Sequence, residues 1–253
     1  MTNSASPLLL ALTTATDACG GAVHAGGALR VELTLHRPRR HSERLAPLIR
    51  DALRHAGDAL DADDLDAVAL AAGPGSYTGL RIGASTAKGL CAATGAALVP
   101  VPTLEALAEA HRGRAAPGDV LGAVLRSRRG EVYAAAFRCT DDDRALAPVF
   151  EAAALETDEA ARRFEDLLRG EASAPGDAAT WLLGSGAERV VEALPDDVEA
   201  FRLCEEAFPS AAAVARCGAA RFAAGTVADA AAFEPRYLKD VHATPRPAGA
   251  AFE

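Results

Sequence analysis

The run Gly73-Pro74-Gly75-Ser76-Tyr77-Thr78-Gly79-Leu80-Arg81-Ile82-Gly83 constrains this chain more than any other stretch, because it turns an apolar strand into a helix through a corner that glycine makes easily. Val68 to Ala72 is an apolar run of strand length; Thr78 to Thr94 carries helix formers and stops at Gly95, a natural C′ residue. Such a corner aims backbone N–H groups and a helix N-terminus at one point, which suits a phosphate or other anion and makes Gly73 and Gly75 candidate anion-binding residues. The other reading is a tight turn whose glycines take positive φ beside a restrained Pro74. Spacing favours the turn, since neither the P-loop with its Lys-Ser/Thr pair nor Gly-x-Gly-x-x-Gly fits. The helix that follows carries its own cost: Gly79, Gly83 and Gly89 each lose about 1 kcal/mol relative to Ala, so packing must offset about 3 kcal/mol. Gly79, Gly83 and Ala87 share one face, which predicts a strand or second helix in close approach.

With 253 residues, half of them hydrophobic, the chain can bury a sizeable core in one large domain or two halves, and two halves are expected. A net charge of −9 argues against gripping nucleic acid alone. The cysteines Cys19, Cys91, Cys139, Cys204 and Cys217 form no Cys-x-x-Cys pair and read as small core residues of a reducing compartment. The N-terminus lacks a basic n-region and Leu8 to Leu12 is too short for a signal peptide or membrane span, so a cytoplasmic protein without membrane contact is expected.

Along the chain, Leu8–Leu12 and Cys19–His24 read as buried strands, and Leu29, Val31, Leu33 and Leu35 alternate with polar residues as a half-exposed third. A helix from Ser42 to Ala56 follows, with Leu45, Leu48, Ile49, Ala52 and Leu53 on its apolar face. Asp58 to Asp66 reads as a solvated loop. After the glycine corner come a strand near Ala97–Val101 and a helix over Thr103–Ala110 with Thr103 as N-cap. From Gly118 the order repeats: strands Val120–Leu125, Val132–Phe137 and Leu146–Phe150, helix Glu159–Leu168, strand Trp181–Leu183, the turn Gly184-Ser185-Gly186 and helix Ala187–Leu194. Gly184 and Gly186 thereby become a second pair of anion-binding candidates. A helix over Ser210–Ala224 comes last, with Ser210 after Pro209 as its cap, and residues 242–253, rich in Pro and Ala, read as a disordered tail.

The string Gly73–Gly83 resembles the signature of the TsaB family, the actin-like dimerisation subunit of the bacterial machinery that makes threonylcarbamoyladenosine in tRNA. Further family-like pieces follow in order: Leu8–Cys19, His41–Ile49, Ser127–Phe137, Leu182–Val190 and Pro235–Lys239. The resemblance implies an α/β fold of two duplicated ribonuclease-H-like halves, mixed sheets flanked by helices, with 1–112 as the half carrying the glycine turn and partner-binding helices and 118–241 as the second. It implies a non-catalytic subunit that activates a TsaD-like catalytic paralogue alongside a TsaE-like ATPase, meets tRNA only through the complex, forms a homodimer when alone and needs no cofactor. The implied interface is a helical bundle, which assigns Leu45, Ile49, Leu53, Gly79, Gly83 and Ala87 to partner contact.

Actin-like ATPases carry a carboxylate at the end of the first strand of each half, and the family usually has Asp at both. Here those positions are Thr13 and Arg126, which cannot bind a hard cation as a carboxylate does. This departure argues against the alternative function, a stand-alone ATPase or small-molecule kinase. No histidine pair stands at i and i+4, and Ser76 sits in no Gly-x-Ser-x-Gly elbow, so neither a zinc protease nor a serine hydrolase is indicated. The clusters Arg37, Arg39, Arg40, Arg44 and Arg126, Arg128, Arg129 read as solvated loops, with contact to RNA or an acidic partner as the other reading.

Overall fold

An apolar run with no polar face needs neighbours on both sides, and Leu9–Thr13 (β1), buried at every position, has them. The computed structural model describes residues 7–37, 40–57, 60–128, 130–140, 146–171, 178–198 and 201–238. Ala18–Ala25 (β2) and Ala28–His36 (β3) continue as an antiparallel meander, His41–Ala56 (α1) crosses over, and Ala67–Ala71 (β4) returns parallel to β1. Tyr77–Thr94 (α2), Ala97–Val101 (β5) and Thr103–His111 (α3) complete the first set, giving sheet order β3-β2-β1-β4-β5. Pro100 is tolerated because β5 is an edge strand.

Val120–Arg126 (β6), Glu131–Cys139 (β7), Leu146–Glu156 (β8), Thr157–Glu171 (α4), Thr180–Leu183 (β9), Ala187–Glu192 (α5), Phe201–Cys204 (β10) and Ala211–Ala223 (α6) repeat that order, and their sheet runs β10-β9-β6-β7-β8. Each sheet therefore has two antiparallel and two parallel pairings around its first strand. The fold is the expected duplicated, mixed-sheet α/β architecture. One feature was not legible in the sequence: the last helix of each set crosses to the other sheet. Leu104, Leu107 and Ala108 of α3 pack on Leu121, Ala123 and Leu125, while Ala211, Val214 and Ala215 of α6 pack on Leu9, Ala11 and Ala69. The crossing helices meet in a bidentate pair, Arg221 donating to both Glu105 oxygens at 2.7 Å, and in Arg216–Glu109 at 2.7 Å.

Several local expectations shift. The Ala-rich Glu151–Glu156 extends β8 because β7 supplies its hydrogen-bonding partner, and β10, four residues long, was not foreseen. Thr103 does not cap α3; its hydroxyl accepts from Gly73 N–H at 2.9 Å. Asp66 is exposed, as a solvated loop residue should be, yet its carboxylate also accepts from Leu8 N–H at 2.8 Å and ties the loop to the start of β1. Ser210 caps α6 as expected, accepting from Ala213 N–H at 3.1 Å. The tail 242–253, Arg39 and Arg129 lie outside the described residues.

Candidate functional site

The C-terminal ends of the central strands of both sheets open onto one cleft of about 470 Å3. The loop after β1 contributes Thr16 and Asp17, the glycine corner Gly75, Ser76 and Tyr77, the end of β6 Arg126 to Arg128, the turn before α5 Ser185, and the segment after β10 Glu205, Glu206 and Phe208. Arg236 and Tyr237 close one side. The carboxylates of Glu205 and Glu206 after β10 were missed because the short strand that positions them was missed.

The first strands of the two sheets end in Thr13, fully buried with no partner for its Oγ1 among the described residues, and in the exposed Arg126. Among the described residues, no three of His, Cys, Asp or Glu converge as a metal-binding group, so Asp17, Glu205 and Glu206 share the cleft wall without forming one. Arg126, Arg128 and Arg236 bring opposite charge to the same wall.

The four glycines singled out as anion ligands serve the chain's own packing instead. A Cβ on Gly73, whose φ is 112°, would stand 2.4 Å from the Arg236 carbonyl oxygen, and one on Gly75 2.3 Å from that of Ala15. At Gly184 and Gly186 the obstacles are the Val124 oxygen at 2.5 Å and the Leu125 carbonyl carbon at 2.9 Å. Three of the four amides are engaged as well: Gly73 N–H donates to Thr103, Gly184 N–H to Cys204 O and Gly186 N–H to Val124 O, while beside Gly75 the Ser76 N–H donates to Ala15 O at 2.7 Å. Donors held this way do not cradle a phosphate.

The expected interface stripes also turn inward. Leu45, Ile49 and Leu53 are 1%, 6% and 6% exposed and lie in the core between α1 and the first sheet. Gly79 and Gly83 meet the chain just after β1: their added Cβ atoms would stand 2.0 Å from Thr14 O and 2.4 Å from Thr14 Oγ1. Ala87 is fully buried beside them. These residues have no surface to offer a partner. Tyr77, Thr78, Arg81, Ser85, Gly89, Ala92 and Ala93 of α2 face outward, with Ile82 half-buried, and among the described residues nothing lies within 4 Å of a Cβ placed on Gly89.

At the cleft mouth the rings of Tyr77 and Tyr237 meet at a 44° tilt, 5.2 Å between centroids, with Arg81 5.1 Å over the Tyr77 ring and donating to its hydroxyl at 2.9 Å. Burial, then the neighbouring Tyr77, push the Tyr237 phenol above its usual pKa, and Arg81 opposes them. Backbone donation from Arg236 to Ala72 O at 2.8 Å ties this segment to the glycine corner.

The family model described as TsaD, tRNA N6-adenosine threonylcarbamoyltransferase, matches residues 36–244. The tRNA threonylcarbamoyladenosine biosynthesis protein TsaB of Escherichia coli K12 is 36% identical over 130 residues, 51% of this chain and 54% of that protein. Its Haemophilus influenzae counterpart is 35% identical over 125 residues, 49% and 51% of the respective chains. The chain thus spans about half the length of these curated relatives. Among solved structures, YeaZ from Pseudomonas aeruginosa matches with a TM-score of 0.77 at 27% identity, over 92% of this chain and 100% of that one.

Proposed function

Because this chain belongs to the TsaD-type tRNA N6-adenosine threonylcarbamoyltransferase family, on its TsaB branch, we propose that it serves threonylcarbamoyladenosine synthesis in the cytoplasm as a non-catalytic subunit. In this reading it binds and activates a TsaD-like paralogue, works beside a TsaE-like ATPase, and reaches tRNA only within that assembly. The observation that carries it is the chemistry of the two strand ends: a buried threonine and an exposed arginine stand where phosphoryl-transfer relatives need carboxylates for a hard cation. The glycine corners support it, being closed by the chain's own carbonyls.

The segment 1–112 supplies the partner surface in this reading, through the outward face of α2 rather than its inward stripe. An exposed helical glycine such as Gly89 costs about 1 kcal/mol, and among the described residues no contact offsets that cost, so a closely approaching second chain is the physical reason for a glycine there. Reconstitution tests the proposal. A TsaD-like paralogue from the same host, supplied with tRNA and an activated threonylcarbamoyl donor, should turn over only when this chain is added, and this chain alone should be inactive. Modification at full rate without it would refute the activator role.

A stand-alone ATPase or kinase remains the second reading, favoured only by the size of the cleft and by Asp17, Glu205 and Glu206 along its wall. Magnesium-dependent ATP turnover by the isolated chain, abolished by Glu205→Gln together with Glu206→Gln, would establish it.

A further inference from the structure

A second groove lies away from the cleft, between the edge strand β3 and one flank of α1. Leu33, Leu35, Pro47 and Leu48 supply its apolar lining, Arg37, Arg40 and Arg44 its cationic end, and Asp51 the other end. On α1 the residues 40, 44, 47, 48 and 51 recur at helical spacing, so they form one continuous flank. Among the described residues β3 pairs only with β2, which leaves its outer edge open.

The charge at the groove's end is out of keeping with its surroundings. Arginines gather at the N-terminus of α1, where the helix dipole is already positive and cations are unfavourable. The N-cap residue, Arg40, provides no side-chain acceptor for the first amides of the helix. Glu43 answers Arg40 in an exposed ion pair, but among the described residues Arg37 and Arg44 have no ion-pair partner. In a chain of net charge −9, this is a local positive focus beside an apolar trough and an open strand edge.

We propose that this groove docks an extended acidic segment of a partner protein, with its carboxylates at Arg37, Arg40 and Arg44 and its apolar side chains on Leu33, Leu35, Pro47 and Leu48. An added strand would complete the hydrogen bonding of β3 while alternate side chains enter the groove. Single-stranded RNA fits less well: among the described residues no aromatic ring lines the groove for base stacking, and Asp51 repels a continuous polyanion. The proposal does not depend on the activator role described above.

Fluorescence anisotropy with a labelled peptide alternating Glu and Leu tests it, with a Lys/Leu peptide, an all-Glu peptide and oligouridylate as comparisons. The Glu/Leu peptide should bind saturably and weaken as salt rises, and the other probes should bind at least about tenfold more weakly, a difference of about 1.4 kcal/mol. Arg37→Glu with Arg44→Glu, both exposed and confirmed folded by circular dichroism, should weaken the Glu/Leu peptide by about tenfold or more. No binding by that peptide, equal binding by the double variant, or tighter binding of oligouridylate would each overturn the proposal.

Discussion

The same substitution at two glycines of α2 should move stability in opposite directions, and the structure sets the sizes. Gly89→Ala adds a methyl group where no atom of the described residues lies within 4 Å, so it recovers helix propensity of about 1 kcal/mol with no packing cost. Gly79→Ala recovers at most the same amount in the first turn, but its methyl group arrives 2.0 Å from the Thr14 carbonyl oxygen, where real contacts do not fall below 3.0 Å. That oxygen belongs to the backbone next to the central strand and cannot rotate away as a side chain would. The separation it requires also disturbs the Thr14 hydroxyl, which donates to the Gly79 carbonyl at 2.8 Å in a buried hydrogen bond. Overpacking of about 1–3 kcal/mol and a hydrogen bond of about 1 kcal/mol, less the propensity gain, leave a net loss of about 1–3 kcal/mol. The two variants should therefore differ by about 2–4 kcal/mol, and by roughly 4–16 °C in melting temperature for a chain of this size. Urea and thermal unfolding followed by circular dichroism measure both. A Gly79→Ala protein that melts at or above the parent temperature would refute the reasoning, because it would mean that the close approach does not constrain the helix.

Gly89→Gln should leave the isolated chain at least as stable as the parent yet weaken its pairing with a TsaD-like subunit by about tenfold or more, read by calorimetry; unchanged affinity would move the interface off this face of α2. Burial, then Arg114, lowers the pKa of His111, and burial, then Arg216 and Arg30, lowers that of His24. The unfolded chain therefore binds more protons below its ordinary histidine pKa of about 6.5, so stability should fall as pH drops through that value; His111→Gln should reduce the difference between urea midpoints measured at about pH 7.5 and about pH 5.5. Cys204 is the one cysteine not buried, whereas burial pushes the Cys19 thiol up to about 11 and raises those of Cys91, Cys139 and Cys217. Ellman's reagent should accordingly label Cys204 alone in the native chain, and Cys204→Ser should abolish that labelling; rapid reaction at a second site would show that the core opens more readily than its packing implies.

Much of the fold was legible because its signals are local. The unbroken apolar run at Leu8–Leu12 reads as a buried strand, the spacing of Leu45, Ile49, Ala52 and Leu53 as a helix, and Ser210 as a cap, since period and capping act within a few residues of one another. The Gly79–Gly83–Ala87 stripe likewise announced a close approach. What it approaches was decided elsewhere in the chain: Thr14, 65 residues from Gly79, fills the space, and the stripe serves the core rather than a partner. Tertiary structure alone also made Glu151–Glu156 a strand through its pairing with β7, carried α3 and α6 onto each other's sheets, and brought Glu205 and Glu206 to the wall that Asp17 shares. The orientation of a helix face and the completion of a short strand depend on partners distant in sequence, and no period within a single segment encodes which partner will arrive.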